Sequence, residues 1–345
     1  MSIFSNLVCY KSYYFSLLLA LIPVSFIAGN MIININILFL ILSSIFFFHK
    51  NVFKLKFFIL DKLIILYFLI ILATALINDH YFYSIDPSDE LQRGILYTTF
   101  KSVLFLKYLL LYLVVRFLVE NRIVNLKFFF ITCLFSTVFV SIDIFYQLLN
   151  GKDIFGFENN NAGRKLSGPF GDELIAGGYI QRFCIFSFFL LPFFYPEISK
   201  KYSKYFVPIL FIIFFLGIIL SGNRMPLLLF LFTIGMIVIF QKQVRKYLLI
   251  FLITFTLIFT IIFNLNNKVK NNFLNFYHQV TNIFIVLINQ NDEQKQSAYS
   301  KEFSTFYDTW LLNKYIGGGI KNFRYYCHVR PNVNKSSDFI CNMHP

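Results

Sequence analysis

The chain has 345 residues, of which 57% are hydrophobic, 20% are aromatic and only 14% are charged. A soluble domain carries about 25% charged residues and needs polar side chains to cover its core, so this composition excludes an ordinary soluble protein. The net charge of +14 does not indicate nucleic-acid binding, because the basic residues lie in short clusters between apolar blocks, as topology signals do. We therefore expect a membrane protein with no nucleic-acid partner.

Apolar blocks of about sixteen to twenty-three residues recur along the chain, and each can cross roughly 30 Å of hydrocarbon at 1.5 Å per residue. The first block resembles a signal peptide, with Lys11 before an apolar run that ends at Ala28-Gly29, but in a polytopic chain we expect a retained helix. The blocks predict an all-α polytopic bundle of about nine transmembrane helices, at residues 13–29, 31–48, 59–77, 102–119, 128–149, 180–196, 205–221, 226–241 and 247–264.

The charges between the blocks predict the orientation of the bundle. With a cytoplasmic N-terminus, each inner segment has an excess of basic residues, as the positive-inside rule requires. The inner segments hold fourteen basic and three acidic residues, and the outer loops hold seven basic and eight acidic ones. The inner segments are 1–12, 49–62, 116–127, 197–204 and 241–247, and the outer loops are 78–101, 150–182 and 222–225.

After the ninth block, residues 265–345 form a polar segment that we expect to be a large periplasmic loop. It opens with an amphipathic stretch at 269–287, a pattern typical of a helix that lies along the membrane surface or caps the bundle. The chain stops shortly after Cys341, where no helix ends. We therefore expect a fragment whose continuation carries more helices.

Three outer segments combine glycines with arginine or histidine: 163–173 with Arg182 after it, 221–226, and 315–323 with His344 after it. A guanidinium group binds phosphate oxygens through two hydrogen bonds and stays charged at any accessible pH. Arginines at the outer membrane surface therefore suit a lipid-borne diphosphate, whose departure they would stabilise electrostatically without a metal. A histidine on the same side, with an ordinary pKa near 6.5, suits the removal of a proton from an attacking hydroxyl.

The segments from about residue 90 onward resemble the O-antigen ligase and polymerase superfamily of bacterial envelope glycosyltransferases. Their order, spacing and shared membrane face carry the resemblance. The matching residues are Arg164 with Ser167-Gly168-Pro169-Phe170-Gly171-Asp172-Glu173, the turn Ser221-Gly222-Asn223-Arg224, Gly317-Gly318-Gly319 with Asn322-Phe323, and His344 as the start of a histidine-rich motif.

The resemblance implies an inner-membrane enzyme of lipopolysaccharide biosynthesis that moves a glycan from undecaprenyl diphosphate to a hydroxyl acceptor, without metal or cofactor. The acceptor would be a sugar of lipid A–core or of a growing glycan. The resemblance further implies that Arg224 and either Arg164 or Arg182 bind the diphosphate, and that His344 is the catalytic base.

Other interpretations of these residues remain open. Arg224 can be an interfacial anchor that reaches lipid headgroup phosphates, and Lys165 beside Arg164 can form a similar basic patch. A ligase and a polymerase fit the sequence equally well. A polytopic transporter or flippase is the alternative from another class, although such proteins usually carry internal repeats or paired charges near mid-bilayer.

Several polar residues need an account of their own. Asp143 and Lys107 fall within predicted spans, where a charge costs roughly 2.5–3.5 kcal/mol, and for Asp143 we expect a structural partner or snorkelling. The outer loop with Asp79, Asp86, Asp89 and Glu90 is predicted to be solvated and to bind no metal, since its spacing fits no EF-hand. Cys327 and Cys341 are spaced so that a disulfide is possible in an oxidising compartment, and the sequence leaves this open.

Overall fold

A computed structural model describes residues 3–49, 54–83, 96–158, 165–240 and 298–329, together with isolated positions and runs of two or three residues between 245 and 281, and Cys341. Within these residues the regular elements are helical, apart from one antiparallel bridge between Lys152 and Glu158. The helices are α1 (Ile3–Ala20), α2 (Ile22–Ile27), α3 (Asn30–Phe48), α4 (Ile59–Tyr83), α5 (Tyr97–Phe105), α6 (Lys107–Glu120), α7 (Leu126–Asn150), α8 (Ala176–Phe194), α9 (Pro196–Leu220), α10 (Arg224–Phe240), α11 (Ala298–Leu311) and α12 (Phe323–Val329).

Among the described residues, six helical segments are long and apolar enough to cross a membrane: Tyr10–Ile27, Asn30–Phe48, Ile59–His80, Tyr97–Glu120, Leu126–Asn150 and Ala176–Phe194. Two shorter apolar helices, Tyr205–Leu220 and Arg224–Ile237, coincide with the seventh and eighth predicted spans. In the ninth predicted span, 247–264, and in the stretch 269–287, the structure describes only isolated positions and short runs, all of them helical. The all-α class is therefore confirmed for the described part of the chain, and the count of nine spans stays a prediction.

The exposed surface of α4 shows why these helices belong in a membrane. Leu60, Leu66 and Leu69 are each more than half exposed, and Leu60 and Leu69 lie on opposite sides of the helix, since nine residues at about 100° each make two and a half turns. A helix that is apolar all round needs an apolar environment, and in hydrocarbon its backbone groups are satisfied by its own hydrogen bonds. The chain is therefore membrane-embedded.

The chain divides into two compact units, Met1–Ser43 with Leu118–Leu274, and Ser44–Phe117 with Asn275–Pro345. In the first unit, α7, α8 and α9 pack closely on one another. Gly217 of α9 allows this approach, because a Cβ at that position would lie 2.9 Å from Ser141 Oγ of α7 and 3.0 Å from Ile180 of α8. Small residues at helix contacts are typical of membrane bundles.

Helix α7 has recognisable signals at both of its ends. The side chain of Asn125 precedes the helix and accepts a hydrogen bond from the N–H of Lys127 at 3.0 Å, which satisfies one of the free N–H groups of the first turn. Gly151 follows the last residue in the left-handed conformation, with φ of 76°, as helix-terminating glycines often do. These two caps mark the ends of α7, a helix of 25 residues.

In the second unit, a buried carboxylate joins α4 to α6. Asp61 accepts hydrogen bonds from the hydroxyl of Tyr112 and from the N–H of Phe58, and it forms an ion pair with Arg116. Arg116 also donates to the carbonyl of Lys56. A charge buried in this way needs such partners to offset its lost hydration, so this cluster holds the start of α4 against α6.

Two features differ from the simple pattern of spans and loops. Residues 197–204 are predicted to be an inner loop, but the structure extends α9 back to Pro196, where proline suits the first turn of a helix. The fourth span is divided at Leu106 into α5 and α6. Lys107 begins α6 and lies half-buried, with its Nζ 5.0 Å from the ring centroid of Tyr108.

Candidate functional site

Gln147 attaches the first of the segments predicted to be outer, 163–173, to the end of α7. This side chain is buried in the span; its Oε1 accepts a hydrogen bond from the N–H of Gly168 at 2.9 Å, and its Nε2 lies 3.4 Å from Ser167 Oγ. Gly168 has φ of +55°, and a Cβ there would lie 3.2 Å from Ile144. The glycine is therefore required both by the turn and by its contact with α7.

The adjoining loop folds back over Asp143. Asp143 Oδ1 accepts a hydrogen bond from the N–H of Ile154 at 2.8 Å, and Asp153 Oδ1 accepts one from the N–H of Phe157 at 2.7 Å. Both carboxylates are buried, and within the described part of the chain their Oδ2 atoms have no hydrogen-bond partner. The expected structural partner of Asp143 is thus a backbone amide of the loop.

An aromatic cluster connects the same segment to the start of the chain. The ring of Phe170 lies 5.4 Å from the ring of Tyr179 and 6.4 Å from that of Phe26, measured between centroids. The hydroxyl of Tyr179 donates to the carbonyl of Pro23 at 2.9 Å. The segment therefore packs between α2 and α8 and belongs to the core of the first unit.

The second outer segment meets the first at the start of α8. A Cβ added to Gly177 would lie 2.4 Å from Ser221 Oγ and 3.2 Å from Asn223 Cβ. Asn223 Nδ2 also donates to the carbonyl of Leu174 at 3.0 Å. Two segments separated by about forty residues in the sequence are therefore in direct contact, and we call this contact the α8–α10 junction.

Two of the predicted arginines lie beside this junction. Arg224 is the first residue of α10 and is half-buried. A Cβ on Gly178 would lie 3.9 Å from Pro226, and Arg182, which is exposed, is one turn further along the same face of α8. Arg182 therefore lies on the side of α8 that faces the start of α10. Arg164 lies outside the described residues, so the choice between Arg164 and Arg182 is not decided.

The junction also brings together the N-termini of α8 and α10. The first N–H groups of a helix have no partner within it, and the helix dipole adds a partial positive charge there, so that anions are favoured. Two exposed carboxylates, Asp172 and Glu173, lie in the same segment, and Glu173 is 3.5 Å from the side-chain amide of Asn30. The junction therefore combines two arginines and two helix N-termini, which favour an anion, with two carboxylates, which do not.

The third outer segment belongs to the second unit and is centred on Asn78 at the end of α4. Asn78 Nδ2 donates to the carbonyl of Gly317 at 2.8 Å, and its Oδ1 accepts hydrogen bonds from the side chains of Asn313 and Tyr326. A Cβ on Gly319 would lie 2.8 Å from Thr98 of α5. The segment 313–326 is therefore attached to the ends of α4 and α5.

Cys327 and Cys341 form a disulfide with a Cα–Cα distance of 5.5 Å, and both residues are fully buried. The possibility that the sequence left open is thus realised. The bond holds position 341 against α12, three residues before His344. His344 itself lies outside the described residues, as do Asp86, Asp89 and Glu90. Within the described part of the chain, no three His, Cys, Asp or Glu side chains are grouped for metal binding.

Comparison with known proteins adds no relative to this picture: no family model, no curated protein and no solved structure matches the chain. The family resemblance therefore rests on the quoted residues alone. Sequence reasoning missed Gln147 and Asn78, which fasten the outer segments. Each is a polar residue within or at the end of an apolar span, where an unpaired polar group is costly. A polar residue at such a position therefore indicates a hydrogen-bond partner, and this was the signal that could have identified both.

Proposed function

We propose that this chain is an enzyme of the bacterial inner membrane that transfers a glycan from undecaprenyl diphosphate to a hydroxyl group. Its N-terminus would be cytoplasmic and its site periplasmic. The observation that carries the proposal is the α8–α10 junction, where Arg182 and Arg224 supply full positive charges and two helix N-termini supply partial ones at the end of the membrane-spanning helices. The disulfide between Cys327 and Cys341 also suits an oxidising, non-cytoplasmic compartment.

In the proposed mechanism, Arg224 and a second arginine bind the diphosphate of the donor. The acceptor hydroxyl oxygen attacks the anomeric carbon, the bond from this carbon to the diphosphate oxygen breaks, and the diphosphate leaves with the bonding electrons. His344 would take the proton of the hydroxyl. The arginines stabilise the negative charge that develops on the leaving group, and no metal is needed for this step.

The acceptor distinguishes the ligase from the polymerase. A ligase places the glycan on a sugar of lipid A–core, whereas a polymerase places it on another lipid-linked glycan and so lengthens that glycan. A flippase would move the donor across the bilayer and leave its bond to the diphosphate intact. The three activities therefore give different products from one mixture of donor and acceptors.

The decisive experiment reconstitutes the chain in liposomes with an undecaprenyl-diphosphate glycan and both acceptors. Mass spectrometry then measures released undecaprenyl diphosphate and the glycan-bearing products. Arg224→Ala should lower the rate by about 10²–10³, the usual effect of removing one donor that stabilises transition-state charge. Arg224→Lys should restore part of the rate, because lysine keeps the charge but loses the two-pronged contact.

Arg245 provides the matched control because it lies beyond the other end of α10, where its Nη2 donates to the carbonyl of Ile239 at 2.7 Å. If arginines at the ends of α10 only anchor the helix in the lipid headgroups, Arg224→Ala and Arg245→Ala should have equal effects. Wild-type transfer by Arg224→Ala would refute the role assigned to this residue. Donor that crosses the bilayer without cleavage would favour the flippase.

A further inference from the structure

The second unit contains a cavity of about 250 Å³ between α11, α12 and the turn that joins them. Its walls are mostly aromatic, and the backbone of 317–319 forms one side. The side chains that line it are Phe306, Thr309, Trp310, Asn313, Phe323 and Tyr326.

None of the residues that line this cavity is charged. A diphosphate would find no cation there, and a metal ion would find no carboxylate, thiol or imidazole ligand. Apolar walls with a few neutral polar groups are typical of sites for small neutral molecules. The chemistry of the cavity therefore differs from that of the α8–α10 junction.

Asn313 supplies a positioned acceptor. Its Nδ2 donates to Asn78 Oδ1 at 3.3 Å and to the carbonyl of Gly317 at 3.0 Å, and these bonds fix the orientation of the amide. Because both bonds use the nitrogen, Oδ1 is the atom of this side chain that can accept a hydrogen bond from a ligand.

Trp310 supplies a flat platform and a donor. It is half exposed, and its ring lies 5.7 Å from that of Tyr307. Indole combines a large apolar face with one N–H group. Phe306 and Phe323 form a second platform, with ring centroids 4.5 Å apart.

The glycines keep the remaining side of the cavity open. A Cβ on Gly318 would lie 3.0 Å from the ring of Tyr326, so the backbone approaches this ring more closely than another residue would allow. Gly317 and Gly319 both have φ of +79°, a conformation that other residues rarely adopt. A larger residue at any of these three positions would narrow or distort the cavity.

We infer that this cavity is a subsite for one neutral sugar ring of the glycan substrate, an inference that rests on the proposed function for the identity of its ligand. A sugar ring has C–H faces that pack on aromatic rings, and hydroxyls that can donate to Asn313 and accept from Trp310. A lipid acyl chain would fill the same volume but would leave these two polar groups unpaired, which is unfavourable.

The test uses the fact that the chain contains a single tryptophan, so that its emission reports on this cavity. The full chain is purified in lauryl dimethylamine oxide, a detergent without a sugar headgroup, and titrated with the methyl glycosides of glucose, galactose and N-acetylglucosamine. At least one should change the emission in a saturable way, with a Kd on the order of 1–10 mM, as a weak single-ring site would give. Inorganic diphosphate and decanol should give no saturable change.

Two variants locate the binding. Phe306→Ala should weaken it by roughly tenfold, because truncating a central aromatic contact usually has an effect of this size or larger. Phe303→Ala is the control on the same helix, since Phe303 is 73% exposed and does not line the cavity. Its binding should equal that of the wild type.

The wild-type titration decides the inference. If no glycoside gives a saturable change, or if decanol does and the glycosides do not, the cavity is not a sugar subsite. Arg224→Ala separates this result from the proposed function, because it should bind the glycosides normally while it loses transfer. If glycosides fail to bind while transfer depends on Arg224, only the subsite is overturned. If glycosides bind but no transfer occurs, the proposed function is overturned together with the assignment of the bound ring to a transferred glycan, and the cavity remains a sugar site.

Discussion

The α8–α10 junction can be tested by adding a single methyl group at Gly177. In Gly177→Ala the new Cβ would lie 2.4 Å from Ser221 Oγ and 3.2 Å from Asn223 Cβ. Ser221 has little room to move, because it is fully buried and its hydroxyl donates to the carbonyl of Ile218 at 2.7 Å. The helix start and the turn must therefore separate to accommodate the methyl group.

The expected loss of stability is about 2 kcal/mol. Overpacking of a tight contact usually costs about 1–3 kcal/mol. Separation of the junction also weakens the hydrogen bond from Asn223 to Leu174, which contributes about 1 kcal/mol. The higher helix propensity of alanine offsets at most about 1 kcal/mol, and less than that at the second residue of α8.

The assay is unfolding of the purified chain in mixed micelles with increasing sodium dodecyl sulfate, followed by far-ultraviolet circular dichroism. Gly235→Ala is the matched control, because Gly235 is exposed within α10 and a Cβ there would have no neighbour within 4 Å. This variant should be unchanged or more stable by up to about 1 kcal/mol. Alanine should thus destabilise the chain at position 177 and should not destabilise it at position 235.

A double variant identifies the clash itself. Ser221→Ala removes the hydroxyl oxygen that lies nearest to the new methyl group, so it should be less harmful in the Gly177→Ala background than alone. We expect a coupling energy of about 1 kcal/mol or more between the two sites. Additive effects, or a Gly177→Ala variant as stable as Gly235→Ala, would show that the two segments are not in contact.

Three further predictions concern other parts of the chain. Cys327→Ser should destabilise the second unit by at most about 3 kcal/mol. Maleimide should label Cys327 and Cys341 of the wild type only after reduction, and labelling without reductant would contradict the disulfide. Asn78→Leu leaves buried polar groups unpaired and should cost about 3 kcal/mol, seen as an earlier change in tryptophan emission during unfolding; an unchanged midpoint contradicts the network. Lys152 lowers the pKa of Glu158 through their hydrogen bond and charge attraction. The pair therefore stabilises the fold at any pH above 4.5, the ordinary pKa of this carboxyl group. This stabilisation is lost as the pH falls through the lowered pKa of the folded state. Lys152→Ala should raise the carboxyl-carbon NMR titration midpoint of Glu158, and an unchanged midpoint would show that the pair does not form.

The spans were the most predictable part of the fold. For α3, the prediction of 31–48 agrees with the observed Asn30–Phe48 within one residue, because a run of apolar residues leaves little choice of boundary. For α9 the lysines near its start indicated a loop, but the helix begins at Pro196. Charge shows where a chain leaves hydrocarbon, but a helix can continue for several turns beyond that point.

The candidate site could be predicted only in part. The glycine and arginine segments were identified from their residue types, and the contact of Gly177 with the turn at Ser221 agrees with their predicted common face. The fastening role of Gln147 depends on a contact with Gly168, about twenty residues away, and no local pattern predicts such a partner. The aromatic cavity was missed because Phe306 and Trp310 show only the spacing of an ordinary amphipathic helix.

The surroundings of Asp143 bear on the choice between an enzyme and a transporter. A transporter that moves protons or ions needs a carboxylate that alternates in access to the two sides, with polar groups along the path. Asp143 is instead fully buried, and the loop above it is held to it through the N–H of Ile154. The segment that carries Gly168 lies against the same carboxylate, since a Cβ there would be 3.8 Å from Asp143 Oδ2. A carboxylate that accepts a hydrogen bond from one loop and lies against a second segment is suited to a fixed arrangement of both, which favours a fixed site at the membrane surface over a moving gate.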